Sequence, residues 1–68
     1  MEIMKKVGES IKLARMERNK TVYDIEKEVG ISHQSQYKWE SGETEPSIVS
    51  CIKLAEYYGI TLDELVGK

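Results

Sequence analysis

Phenylalanine is absent from the chain, and cysteine, proline, tryptophan and histidine occur once each. Each shortage excludes something. A lone Cys51 can form no internal disulfide and no Cys-rich zinc framework, so apolar burial and helix caps have to hold the fold. One histidine among scattered acids offers neither a nucleophile-base-orienter set nor metal-ligand spacing, so neither an enzyme nor a metal site is expected. No cofactor and no small-molecule ligand is evident. No apolar run is long enough to span a bilayer, and the segment from Met1 to Gly8 leads into charges and not into a signal-sequence core. A soluble protein of the reducing cytoplasm is expected. At 68 residues the expectation is one domain over 1–68, near the lower size limit for a self-supporting core.

Without phenylalanine the core must be mainly aliphatic, since Tyr23, Tyr37, Tyr57 and Tyr58 carry most of the aromatic content. Ten basic against twelve acidic residues give a net charge of −2. That balance argues against a general cationic coat for nucleic acid and leaves a local basic patch open.

Apolar residues recur every three or four positions from end to end, and sustained alternation is missing, so the chain reads as all helical. The punctuation cuts it into five segments. The first runs from about Met4 to Arg18, with Val7, Ile11 and Ala14 on one stripe, Met16 nearby, and Asn19 as a left-handed stop. Thr21 caps the second, with Asp24 completing a near capping box and Ile25 and Val29 facing inward before Gly30. Ser32 caps the third, from about His33 to Glu40, and Gly42 ends it. Glu45-Pro46 imposes an extended break, Ser47 caps a fourth segment through Tyr58, and Gly59 closes it. Thr61 with Glu64 forms a capping box for a short fifth helix that runs out at Gly67. Cys51, Leu54, Ala55, Leu62 and Leu65 fall at core spacing.

Across "EKEVGIS" a glycine turn joins two short helices and forces a steep crossing angle, which is the helix-turn-helix pattern. In that pattern the second helix protrudes and its N-terminal residues reach base edges in a major groove. Here they are Ser32, His33, Gln34, Tyr37 and Lys38.

At "VGESIKLARMERNKT", "VGIS", "YKWESGETEPS" and "CIKLAEYYGITLDELVG" the chain resembles the phage repressor and Cro type of helix-turn-helix, also called the xenobiotic-response-element family. The resemblance covers almost the whole chain. It implies a compact all-α bundle of five helices, of the lambda-repressor kind, that binds a two-fold symmetric DNA operator as a homodimer. It also implies that Arg15 on the first helix forms a buried ion pair with Glu40 at the end of the third, and that Trp39 is a core anchor. Four positions depart from the family pattern. Lys20 stands for an apolar residue, Val22 for a phosphate-binding glutamine, Glu26 for a small alanine and Gln36 for isoleucine or valine. Glu26 and Gln36 would face each other across the turn, so a hydrogen bond from the Gln36 amide to the Glu26 carboxylate is expected.

For base readout the candidates are His33, Gln34, Tyr37 and Lys38. Gln34 suits adenine through a bidentate amide contact, and Lys38 suits guanine or, equally, a phosphate. Tyr37 can pack on a thymine methyl or send its hydroxyl to a phosphate. Phosphate contacts are expected from Thr21, Tyr23, Ser32, Ser35, Gly42 and Thr44, through hydroxyls and the backbone N–H groups after the third helix. Glu43 and Glu45 in the same loop repel phosphates and limit affinity. Tyr57, Tyr58, Ile60 and Val66 cannot all be hidden by so small a bundle and are candidates for a dimer interface.

Two functions fit. The leading one is a sequence-specific transcriptional regulator, a repressor, acting as a homodimer with its third helix in the major groove. The other is a protein-interaction module, antitoxin-like or peptide-responsive, in which DNA binding is weak or lost; the acidic balance and Val22 favour it, and the polar outer face of the third helix disfavours it.

Overall fold

A computed structural model describes residues 2–68. Five helices follow in order: α1 (Glu2–Glu17), α2 (Val22–Val29), α3 (His33–Glu40), α4 (Ile48–Tyr58) and α5 (Leu62–Val66). There is no strand among the described residues.

Local signals set most of these boundaries. The Thr21 hydroxyl accepts from the Asp24 N–H while the Asp24 carboxylate accepts from the Thr21 N–H, so α2 opens with a full reciprocal box. These bonds, the backbone one first, hold the Asp24 carboxyl below the usual range. Thr61 and Glu64 repeat the arrangement at α5, and Ser32 and Ser47 cap α3 and α4. Such a cap contributes about 1 kcal/mol. Between α2 and α3 the chain reverses at Gly30, whose φ of 83° is the left-handed region where a Cβ is penalised. The expected first helix starts two residues earlier than the spacing suggests, at Glu2.

The core gathers Ile11 and Ala14 from α1, Ile25 from α2, Ile31 from the turn, Trp39 from α3, Cys51, Leu54 and Ala55 from α4, and Leu65 from α5. Val22 is buried as well, at the first position of α2. Burial pushes the Cys51 thiol up, as an apolar site does to any group that ionises to an anion. Leu62 departs from the expectation of a core residue, because the first turn of α5 faces outward and leaves it 36% exposed. Met16 is exposed too, on the outer side of α1.

α1 lies against α3 and α5, α2 against α3, and α4 against α5 and α2. The α1–α3 approach is close enough that a Cβ built on Gly8 would overlap the carbonyl oxygen of Trp39. Gly8 costs helix propensity in the middle of α1, by about 1 kcal/mol relative to alanine. The close contact it permits explains its place there.

One guanidinium ties this contact together. Arg15 Nε donates to Glu40 Oε2 and Nη2 to Glu40 Oε1, both at 2.9 Å, and Nη1 donates to the Lys20 carbonyl at 2.7 Å. The two side chains are only 12% and 6% exposed. Hydrogen bonding to Glu40 raises the Arg15 pKa above its ordinary value, against the opposing effect of burial. Removing one partner of such a pair strands the other charge. Glu40→Ala is therefore expected to cost about 3–5 kcal/mol, which approaches the whole stability of a domain this small. The double replacement of Arg15 by Met and Glu40 by Leu is expected to cost much less than the sum of the single changes, and urea unfolding of all four proteins checks it. Additive losses would show that the two residues do not act as a pair.

Candidate nucleic-acid interface

α3 has two unlike faces. Its inner face carries Gln36 and Trp39, both buried, and the Glu40 carboxylate held by Arg15. Its outer face carries Gln34 and Lys38, both exposed and one helical turn apart, with Tyr37 beside them at 49% exposure. His33 and Ser35 are half-buried at the start of the helix. The sequence-predicted base-reading set therefore lies on one surface, and the α3 start is the place where it meets α2.

Glu26 and Gln36 do not form the expected pair. The Gln36 amide donates to the carbonyl oxygens of Val22 at 3.0 Å and Ile31 at 2.9 Å. Glu26 Oε1 instead lies 2.9 Å from His33 Nδ1. The reason is position: Gln36 points into the angle between α2 and α3, where main-chain oxygens converge and an amide can donate. The Glu26 side chain leaves α2 in a different direction and reaches the His33 ring at the N-terminal end of α3, where the helix dipole favours a carboxylate. Gln36 thus takes over a packing site with its hydrogen bonds satisfied, and no buried side-chain N or O atom among the described residues lacks a partner.

The His33 ring is gripped from two further sides. Its centroid lies 4.9 Å from that of Tyr23 and 6.2 Å from that of Tyr37, the latter edge-on. Tyr23 is 57% exposed, so the three rings form an aromatic strip running from α2 onto α3.

The phosphate candidates divide. Thr21 and Ser32 accept cap bonds with their hydroxyl oxygens, and the Ser32 hydroxyl donates to Ser35 Oγ at 2.9 Å. That leaves the hydroxyl protons of Thr21 and Ser35 for an outside acceptor. Gly42 and Thr44 are corrected. Their backbone N–H groups turn inward, Gly42 to the Trp39 carbonyl and Thr44, with Glu43, to the Lys38 carbonyl. The last carbonyls of a helix need donors, and this loop supplies them; only the exposed Thr44 hydroxyl stays available.

The C-terminal aromatic edge is also more occupied than the sequence suggests. Tyr57, Tyr58 and Ile60 lean on the core, and Val66 is half-buried. The Arg18 guanidinium sits 4.8 Å from the Tyr58 ring centroid, and desolvation pushes the Tyr58 hydroxyl up to about 12. Tyr57 donates to Glu28, which is also 3.4 Å from Lys20. Lys20, standing where an apolar residue is the family pattern, thereby joins the α1–α2 connection to the end of α4. A freer apolar face lies on α4, where Ile48, Val49 and Ile52 are 65%, 57% and 42% exposed. The sequence did carry a signal for it, since these three lie off the Cys51–Leu54–Ala55 stripe and cannot share its face.

A two-faced short helix, locked on one side and polar on the other, after a glycine turn, matches one family description, "Helix-turn-helix", over residues 11–65. The chain belongs to the helix-turn-helix family of Cro/C1 type. This helix-turn-helix family is one of DNA-binding regulators and not a class of enzymes. The chain is 38% identical over 63 residues to the Cryptic phage CTXphi transcriptional repressor RstR of Vibrio cholerae serotype O1, covering 93% of this chain and 56% of that protein. It thus spans little more than half the length of that relative. It is 29% identical over 55 residues to an uncharacterized HTH-type transcriptional regulator of Methanocaldococcus jannaschii, covering 81% of this chain and 83% of that one. No solved structure matches the chain significantly. No described helix is long and apolar enough to cross a membrane.

Gln36 provides a direct check on the turn. Gln36→Glu keeps the shape and places a carboxylate against the Val22 and Ile31 oxygens, so a loss above about 3 kcal/mol is expected near neutral pH. A carboxyl with a raised folded pKa binds its proton more tightly in the folded state, so the variant should regain stability as pH falls and lose it as pH rises. Thermal melts across pH 4–7 read this, and a pH-independent loss would contradict the geometry.

Proposed function

We propose that the protein is a sequence-specific transcriptional regulator, a repressor, that binds an inverted-repeat operator as a homodimer with α3 in the major groove. One observation carries the reading. The outer face of α3 offers hydrogen-bonding side chains to a partner while its inner face is fixed to α1 and to the turn. A groove-reading helix needs both properties, since base edges are discriminated by donors and acceptors held in register. Similarity to the Vibrio cholerae phage transcriptional repressor supports repression.

In this reading Gln34 addresses adenine, and His33, Tyr37 and Lys38 complete the readout. Thr21, Tyr23, Ser32, Ser35 and the Thr44 hydroxyl meet phosphates, as do the free N–H groups at the start of α2. Glu43 and Glu45 hold the affinity down and make it depend on few released counterions.

Size supports a homodimer. The Cα trace of one copy is 29 Å in its longest dimension, less than the roughly 34 Å between successive major-groove faces, which favours one copy for each half-site. The α4 face of Ile48, Val49 and Ile52 suits a second copy better than the half-covered Tyr57, Tyr58, Ile60 and Val66 edge. Glu45 precedes the α4 face and Lys53 follows Ile52 along the chain. In an antiparallel two-fold contact, Lys53 of one copy would lie near Glu45 of the other.

Selection from a pool of random duplexes is the test of DNA reading. An inverted repeat should be enriched, with half-sites about 10 base pairs apart. Gln34→Ala should relax one adenine position by about tenfold or more, and Lys38→Ala should weaken binding or lower its salt dependence. No enrichment even at low salt would overturn the reading and leave the α4 face to a protein partner. For the dimer, Ile52→Glu should lower the sedimentation mass and weaken binding to the full repeat while leaving the helical spectrum intact. An unchanged mass would place the interface elsewhere.

A further inference from the structure

Glu26 is an acid on a surface proposed to face phosphates, and the mechanism above gives it no task. Its Oε1 lies 2.9 Å from His33 Nδ1, with the two side chains 41% and 32% exposed. A carboxylate only accepts hydrogen bonds, so Nδ1 must be the nitrogen that carries a proton. Among the described residues Nε2 has no hydrogen-bond partner, and no buried side-chain nitrogen there is left without one, so Nε2 reaches solvent. The ring cannot turn freely either, because Tyr23 lies against it at 4.9 Å and Tyr37 meets it edge-on at 6.2 Å. Glu26, Tyr23 and Tyr37 are the titratable groups around it, from α2 and from α3 itself.

We propose that Glu26 is a positioning residue for base readout: it fixes which imidazole nitrogen of His33 faces the DNA, and it sharpens specificity at that base pair while lowering overall affinity. The inference rests on the DNA-reading function proposed above. A His33 ring free to exchange tautomers or to flip would offer either a donor or an acceptor at the same place, and so would not discriminate bases that differ in that respect. With the Nδ1 N–H donating to Glu26, Nε2 remains as one atom of fixed location. The cost is electrostatic. A carboxylate beside the backbone repels every phosphate regardless of sequence. Affinity for random DNA and discrimination at one position are therefore expected to move in opposite directions when the acid is removed, which loss of folding would not produce.

The test compares the wild type with Glu26→Ala, Glu26→Gln and His33→Ala. Alanine favours helix, so α2 should persist, and far-ultraviolet dichroism checks it. In the free wild-type protein, nitrogen-15 histidine spectra should show a proton on Nδ1, and Glu26→Ala should shift population toward the form protonated on Nε2 alone. In duplex selection, Glu26→Ala and His33→Ala should relax the same base pair, by roughly three- to tenfold. Glu26→Ala should also bind random duplex tighter, by roughly two- to fivefold. Glu26→Gln, whose amide oxygen still accepts from Nδ1, should keep the base preference and share the gain on random duplex. An unaltered preference in Glu26→Ala, or equal losses on operator and random duplex, would overturn the proposal and leave the DNA-reading function standing. If the wild type selects no operator, that function falls instead; the positioning contact is still judged by the spectra of the free protein, where a bare Nδ1 would overturn it.

Discussion

Three donors of the Arg15 guanidinium meet the last residue of α3 and the carbonyl of Lys20, and the rest of the molecule is arranged around that junction. An eight-residue helix such as α3 has no stability of its own in water. Its place and its rotation have to be imposed from outside. The ion pair fixes its C-terminal end, Trp39 fills the space beneath it, and Gly8 lets the backbone of α1 come against it. At the other end the Gln36 amide binds main-chain oxygens of α2 and of the turn. Anchored at both ends, α3 presents its outer side chains on a frame that leaves little freedom of register.

The same junctions govern the electrostatics of the surface. A domain with more acids than bases can face DNA only if its acids are spent elsewhere or set at the margin. Glu40 is spent on Arg15, Glu28 on Lys20 and Tyr57, and Asp24 on the cap of α2. Glu43 and Glu45 remain in the loop, whose backbone donors are already used to finish α3. The backbone of this loop therefore has few donors left for an outside acceptor. In the DNA-reading function proposed above, neutralisation falls to Lys38 and the helix starts, and readout depends on how well a few polar groups are held.

Much of the fold is legible in the sequence. Thr21, Ser32, Ser47 and Thr61 mark helix starts because a side-chain oxygen there satisfies an otherwise orphaned N–H, a local event that needs no knowledge of the tertiary structure. Gly30 and Gly59 mark the stops for an equally local reason. The Arg15–Glu40 contact was reached through family resemblance, since nothing in spacing alone brings together residues 25 positions apart. The candidate site was legible as a surface and misread in its wiring. Glu26 and Gln36 are close enough in the fold to pair, and what separates them is the direction in which each side chain leaves its helix. The backbone of Gly42 and Thr44 was misassigned because the carbonyls it serves belong to a neighbouring turn.

By itself the sequence determined the number and order of the helices, the capped starts of the last four, the place of the glycine turn and the identity of the polar residues on α3, because caps, breaks and apolar period are properties of neighbouring residues. Only the tertiary structure decided that Gly8 is a contact point, that Gln36 is buried with its hydrogen bonds met, that Glu26 holds His33, and that Tyr57, Tyr58 and Ile60 lean on the core. Those outcomes depend on which backbone oxygens converge and how closely two helices approach, and they exist only once the helices have packed.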